Sequence, residues 1–263
     1  MSPQALETGP TTRFDAVFQP IVCLSSGRLH GYEALGRIIR EGAMSSTSIP
    51  DLFARAHAEG WLLALDRALR RAALMRIAEQ PRDPSLRWFL NVDSRGVDDP
   101  TFAPGFTRRT LDELGMPDLP VVIELGERDP RLDRERLGRL YPSYARQGFG
   151  IALDDFGAGH ASLSALIAVR PDVLKLDGEI ITGMATDPLR RSLVRAIARF
   201  AEESGILLIA EGIETEDDLA AVREASIPLG QGYLLGRPAP LPRGNLLPHA
   251  RQQPPDHGQV RGC

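Results

Sequence analysis

The 263-residue chain carries 31 Lys+Arg against 35 Asp+Glu, for a formal net charge of −4 and a sequence pI near 5.8. That balance excludes a global basic field able to gather a nucleic-acid backbone, so no direct DNA or RNA binding is expected, and a phosphate ligand must be held by local groups or metal ions. Hydrophobic residues at 43% and charged residues at 25% are those of an ordinary globular protein, and two cysteines at opposite ends, Cys23 and Cys263, make no disulfide framework, although a bridge between them is left open.

The N-terminus "MSPQALETGPTTR" lacks the apolar core of a signal peptide, and no apolar run reaches the roughly 18 residues that cross a membrane. The chain is therefore read as cytoplasmic, without a membrane partner. Residues 1–13 and the Pro-rich 241–263 are expected to be tails around a single body, 14–240.

Within that body, "AVFQPIV" (16–22) predicts a first strand, and "LHGYEALGRIIR" (29–40) a second one close behind it, joined through "SSG" in hairpin fashion. A helical pattern over 61–80 follows, then strands at 87–92, 120–125, 150–155 and 172–177. The next helix, 187–205, starts on Asp187-Pro188 and stops at Gly205, with Leu189, Leu193, Ile197 and Phe200 at helical spacing as its apolar stripe. Strands at 206–211 and 228–233 close the series. Runs of Val, Ile and Leu without polar alternation suit strands covered on both faces, and repeated strand–helix units of this length predict an α/β fold, a (β/α) barrel. A doubly wound open sheet is the rival, but no glycine-rich dinucleotide turn follows the early strands.

Polar residues recur within or at the C-terminal ends of these strands: Glu33, Asn91, Glu124, Asp154, Asp155, Lys175, Asp177, Glu211 and Gln231. A charge inside an apolar strand costs several kcal/mol unless it is paired or bound to a metal. One such residue is a salt bridge; six or more in successive units converge on one rim of a barrel, where sites are built. Carboxylates with an Asn carbonyl form an oxygen-only ligand set, suited to Mg²⁺ or Mn²⁺. Adjacent Asp154 and Asp155 favour two neighbouring ions. Lys175 is the only lysine among 30 arginines. Its compact ammonium reaches a single atom where a guanidinium prefers planar, two-point partners. Pairing of Lys175 with Asp177, on the same strand face, is the bland alternative.

Together these residues resemble the EAL domain, the family of bacterial cyclic di-GMP phosphodiesterases. "YEALGR" stands at 32–37, followed in order by "FLNVD", "VVIELGE", "LDDFGAGHASL", "VLKLDGEII", "IAEGIETEDDL" and "QGYLLGRP", so the likeness runs from Phe14 to Pro240. The resemblance implies a modified (β/α)₈ TIM-type barrel with one reversed strand, and hydrolysis of cyclic bis-(3′→5′) diguanylate to linear pGpG by in-line attack of a water held by two Mg²⁺ or Mn²⁺ ions, with Ca²⁺ inhibiting. Glu33, Asn91, Glu124 and Asp154 would bind the first metal; Asp154, Asp155 and Glu211 would hold the second. Lys175 would contact the attacking water, with Glu211 and Glu33 beside it in catalysis. Arg37 would hold a substrate phosphate, with Leu35 beside the nucleotide and Gln231 supporting the site. Glu127 would steady the loop from Asp155 through His160, and the 154–168 segment would form a homodimer contact. Control would come from dimerisation, an unidentified protein regulator or expression.

Departures from the family pattern fall at Cys23, Gly126, Ala158, His160 and the Ser-rich stretch 40–50, which lacks an aromatic common after the motif arginine. They bear on substrate affinity more than on metal binding. Two other readings remain: a catalytically silent EAL barrel serving as a cyclic di-GMP receptor or protein-interaction module, and a different metal-dependent barrel such as an enolase-like lyase. The complete ligand set weighs against the first, and "AEGIE" and "QGYLLGRP" against the second.

Overall fold

The computed structural model describes residues 13–40, 42–45, 47–126, 133–158 and 163–241. Strands β1 (Arg13–Cys23) and β2 (Leu29–Arg40) form the expected antiparallel hairpin, and a two-residue β3 (Ala43–Met44) folds back on the end of β2. Helices α1 (Ile49–Ala58) and α2 (Leu62–Ala78) then lead into β4 (Arg87–Val92), which lies parallel to β2. From there strands and helices alternate: α3 (Phe106–Glu113), β5 (Val121–Gly126), α4 (Asp133–Ala145), β6 (Gly150–Phe156), α5 (Leu163–Val169) and β7 (Val173–Leu176). The series ends with α6 (Gly178–Ile181), α7 (Pro188–Ser204), β8 (Leu207–Ala210), α8 (Glu216–Glu224) and β9 (Leu229–Gly230).

The sheet order β1-β9-β8-β7-β6-β5-β4-β2 closes through the β1–β2 pairing into an eight-stranded barrel, with β3 outside the ring. β1 is antiparallel to both neighbours, so it is the reversed strand. The hairpin explains the reversal: β1 and β2 are joined by a turn too short for a parallel crossover, which needs a dozen or more residues. Of the stretches expected as tails, only Arg13, the first residue of β1, and Leu241 are among the described residues. No described helix is long and apolar enough to cross a membrane.

Two apolar layers hold the barrel. Ile21, Cys23, Phe89, Val122, Ala152, Val173, Ile209 and Leu229 fill its interior, contributed by seven of its strands. A larger cluster packs the outer faces of the strands against the helices. In α7 the expected caps are present: Asp187 accepts from the amides of Leu189 and Arg190, and Gly205 closes the helix in the left-handed conformation. The expected apolar stripe is corrected, however. Leu189 is 78% exposed, and Leu193 and Phe200 also face solvent; Val194 and Ala201 are the buried residues, with Ile197 partly buried beside them. At about 100° per residue, Val194 and Ala201 lie roughly a third of a turn round from the Leu189–Leu193–Phe200 line, and that face meets the barrel.

Candidate active site

Strand alternation builds the site. Successive side chains in a strand point to opposite faces, so residues two apart share one. One step above the interior apolar layer stand Asn91 beyond Phe89, Glu124 beyond Val122, Asp154 beyond Ala152, Lys175 beyond Val173, Glu211 beyond Ile209 and Gln231 beyond Leu229. Glu33 joins from β2, and reversed β1 supplies Gln19, two residues before Ile21 and paired in register with Glu33. Six of the eight barrel strands thus carry a polar side chain to a single ring at the barrel mouth, and Glu211 and Gln231, the residues just past β8 and β9, complete it.

Lys175, 1% exposed, is the hub of the ring. Its Nζ lies 2.7 Å from Glu124 Oε1, 2.8 Å from Glu211 Oε1, 3.0 Å from Asp154 Oδ1 and 3.4 Å from Glu33 Oε2. Asn91 Nδ2 donates to Glu33 Oε1 at 3.0 Å, and Gln231 Nε2 donates to Glu33 Oε2 at 2.6 Å. Gln231 can stand there because Gly232 follows it: a Cβ on Gly232 would lie 2.1 Å from the Ile213 carbonyl oxygen.

Asp155 reaches the ring by a local irregularity. A regular strand would turn it away from Asp154, but the register of β6 against β7 shifts between Leu153 and Phe156, and Asp155 takes a left-handed φ of 54°. The bulge brings carboxylate oxygens of Asp154, Asp155 and Glu211 within 4.8 Å of one another.

Four carboxylates around one ammonium leave an excess of buried negative charge. Burial pushes the carboxyl of Glu124 well above the ordinary carboxylate range, with Glu33 adding to it and Lys175 opposing. Burial likewise raises Glu211, to about 8, against the pull of Lys175. For Lys175 burial works against the charge, but Asp154, Glu124, Glu211 and Glu33 together outweigh it and hold the ammonium far above its ordinary value. Among the described residues, both Glu124 oxygens and Asp154 Oδ1 lack a well-directed hydrogen bond, although Lys175 stands close to Glu124 Oε1 and Asp154 Oδ1. Buried carboxylate oxygens that must share one ammonium, in an oxygen-only set with surplus negative charge, fit divalent cations.

A cleft of about 350 Å³ opens beside the ring, bounded by Glu33, Asn91, Asp154 and Asp155 on one side and by Leu35 and Arg37 along β2. Arg37 is half-buried, and its Nη1 donates to the Gly36 carbonyl at 2.8 Å. Ile49, Pro50 and Phe53 of α1 form an apolar wall, and Asp66 and Arg70 of α2 lie behind it.

Of the residues predicted to form the site, Glu33, Leu35, Arg37, Asn91, Glu124, Asp154, Asp155, Lys175, Glu211 and Gln231 are brought to the ring or its cleft. Glu127 and His160 lie outside the described residues. The alternative pairing of Lys175 with Asp177 is not found: the strand expected over 172–177 ends at Leu176, and Asp177 caps α6, accepting from the Glu179 amide at 2.7 Å. Gln19 was missed. Its Oε1 accepts from Gln231 at 3.2 Å, and its own Nε2 donates to the Gly236 carbonyl at 3.2 Å. A glutamine inside the apolar run 16–22 was the available signal. Phe53, Asp66 and Arg70 were missed as well, since only the packing of α1 and α2 against β2 and β4 brings them to the cleft.

An eight-stranded barrel with an acidic ring at the C-terminal ends of its parallel strands defines a class of enzyme-like scaffold able to hold divalent cations beside a cleft. The model of the EAL domain family matches residues 3–238, so the chain belongs to that family. It is 31% identical over 248 residues to the uncharacterized protein Rv1357c of Mycobacterium tuberculosis, covering 90% of this chain and 78% of that one. It is 29% identical over 234 residues to cyclic di-GMP phosphodiesterase PA2567 of Pseudomonas aeruginosa, covering 88% of this chain and 39% of that relative. Among solved structures it matches Klebsiella pneumoniae BlrP1, in complex with calcium and cyclic di-GMP, with a TM-score of 0.76 and 27% identity over 91% of this chain and 58% of that one.

Proposed function

We propose that the chain is a metal-dependent phosphodiesterase that opens one phosphodiester bond of cyclic di-GMP to give linear pGpG. The observation that carries this reading is the complete ring: each barrel strand, or the residue just past it, supplies a polar side chain, and the carboxylates of Asp154 and Glu211 at Lys175 group with that of Asp155. BlrP1 has been solved with cyclic di-GMP and calcium or manganese, which supports both the substrate and divalent-ion use.

Glu33, Asn91, Glu124 and Asp154 would hold one Mg²⁺ or Mn²⁺, and Asp154, Asp155 and Glu211 the second. Such ions, when bound, lower the pKa of a coordinated water and neutralise phosphate charge. Lys175 and Glu211, 2.8 Å apart, would orient the attacking water and manage its proton. Glu33 keeps that pair in place through its contacts with Lys175, Asn91 and Gln231. Arg37 would receive a phosphate at the cleft mouth, with Leu35 against the nucleotide. Ca²⁺, with its longer and looser coordination, should inhibit. Leu163 and Ile167, exposed on α5, support a homodimer through the 154–168 segment. Incubation of purified protein with cyclic di-GMP and Mn²⁺, followed by separation of nucleotides, tests the reading: linear pGpG is expected, and intact substrate at high enzyme concentration would overturn it.

A further inference from the structure

Behind the cleft lies an ion pair that the ring does not use. Asp66 and Arg70 are one turn apart on α2, with side chains 5% and 3% exposed. Arg70 Nη2 donates to Asp66 Oδ2, and Nη1 donates to Thr107 Oγ1 on α3 and Tyr144 Oη on α4, each at 3.0 Å. The guanidinium also lies 5.7 Å from the centre of the Phe106 ring. The other Asp66 oxygen accepts from the backbone amide of Asp93 at 3.1 Å. Asp93 in turn starts a 3₁₀ turn, Ser94–Asp98, accepting from the Arg95 amide at 3.0 Å, and it stands two residues beyond Asn91.

A buried pair of this kind is a poor device for stability alone. Desolvation of both charges offsets much of their attraction, and well-packed apolar residues often serve as well. The arrangement is also left incomplete, because Arg70 Nε has no hydrogen-bond partner among the described residues. An apolar pair could not grip the Asp93 amide. We propose that Asp66 and Arg70 are positioning residues for the site: anchored on α3 and α4, they fix the turn after β4. They thereby set the aim of Asn91 into the metal-binding ring and the placement of Asp93 and Ser94 on the cleft wall. The substrate half of this claim rests on the proposed phosphodiesterase reading; the cation half does not.

The test is calorimetric titration of Mn²⁺ into wild type, Asp66→Asn, Arg70→Met and the double variant, with thermal melts and, for cyclic di-GMP, kcat and KM measured separately. Variants that melt cooperatively should bind Mn²⁺ about tenfold more weakly, as when a residue supporting a metal ligand is lost. The double variant should be no worse than the worse single one, because the two residues act as one unit. KM should rise as well. Wild-type Mn²⁺ affinity in any folded variant, whatever its melting temperature, would reduce the pair to a purely structural role. If none of the three folds, Tyr144→Phe decides instead: removing one acceptor from Arg70 should weaken Mn²⁺ about threefold, and an unchanged affinity overturns the claim. A wild type that binds Mn²⁺ without cleaving cyclic di-GMP would defeat the phosphodiesterase reading and leave the titration to judge the pair.

Discussion

Lys175 Nζ and Glu124 Oε1 meet at 2.7 Å with their side chains 1% and 0% exposed. So buried a pair normally stands alone, yet here three more carboxylates crowd the same ammonium. The lysine holds together a negative cluster that would otherwise repel itself, and the cluster keeps surplus charge for cations.

Lys175→Met should therefore destabilise the metal-free protein by about 3–5 kcal/mol, the usual cost of stranding a buried partner. Mn²⁺ should restore more of its melting temperature than it adds to the wild type. Lys175→Arg preserves charge but not size, and turnover should fall nearly as far as in Lys175→Met. An active Lys175→Arg would show that any cation suffices at this position.

The bulge at Asp154–Asp155 gives a second prediction. Asn tolerates a left-handed backbone about as well as Asp does. Asp155→Asn should thus keep the fold and its melting temperature within a few degrees, while Mn²⁺ affinity drops about tenfold or more. Calorimetry and a thermal melt on the same sample check both halves.

Acid stability should depend on His30 at the start of β2. Burial, with Arg87 adding to it, pushes its imidazole from 6.5 down to about 4, and its Nε2 has no hydrogen-bond partner among the described residues. The unfolded chain takes up this proton near pH 6.5, the folded chain only near pH 4. His30 therefore costs nothing above that window, drains stability as pH falls through it, and costs no more once both states are protonated. His30→Phe should lose less melting temperature than wild type between about pH 7 and about pH 5. Equal losses would mean that other groups set the acid response.

The corrected face of α7 is testable by contrast. Leu193→Ser, on the exposed side, should change stability by no more than about 0.5 kcal/mol. Val194→Ala, on the buried side, should cost about 2 kcal/mol in urea unfolding. The reverse order would restore the stripe expected from helical spacing.

Much of this molecule is legible in its sequence. Strands buried on both faces show as short apolar runs, and the ring residues betray themselves because a charge in such a run has no other good reason to be there. Glu33, Glu124, Lys175 and Glu211 are of that kind. Gln19 carried the same signal more weakly, since an uncharged amide in a strand raises less alarm than a carboxylate. Asp177 shared the strand-face parity of Lys175 but not its fate: the strand stops one residue earlier, and element ends are where periodicity loses its grip. Asp66 and Arg70 read as ordinary i,i+4 helix charges; only the packing of α3 and α4 over them reveals burial. The stripe of α7 failed for a related reason. Spacing shows that a helix has an apolar line, but the neighbouring elements decide which face is covered.

Turnover of cyclic di-GMP in saturating Mn²⁺ by wild type beside Glu33→Ala tests the central claim most directly. Glu33 touches Lys175, Asn91 and Gln231 at once. Wild type should release linear pGpG, and Glu33→Ala should fall by at least about 100-fold while remaining folded. Equal turnover by the two proteins, or none by either, would contradict a phosphodiesterase centred on this ring.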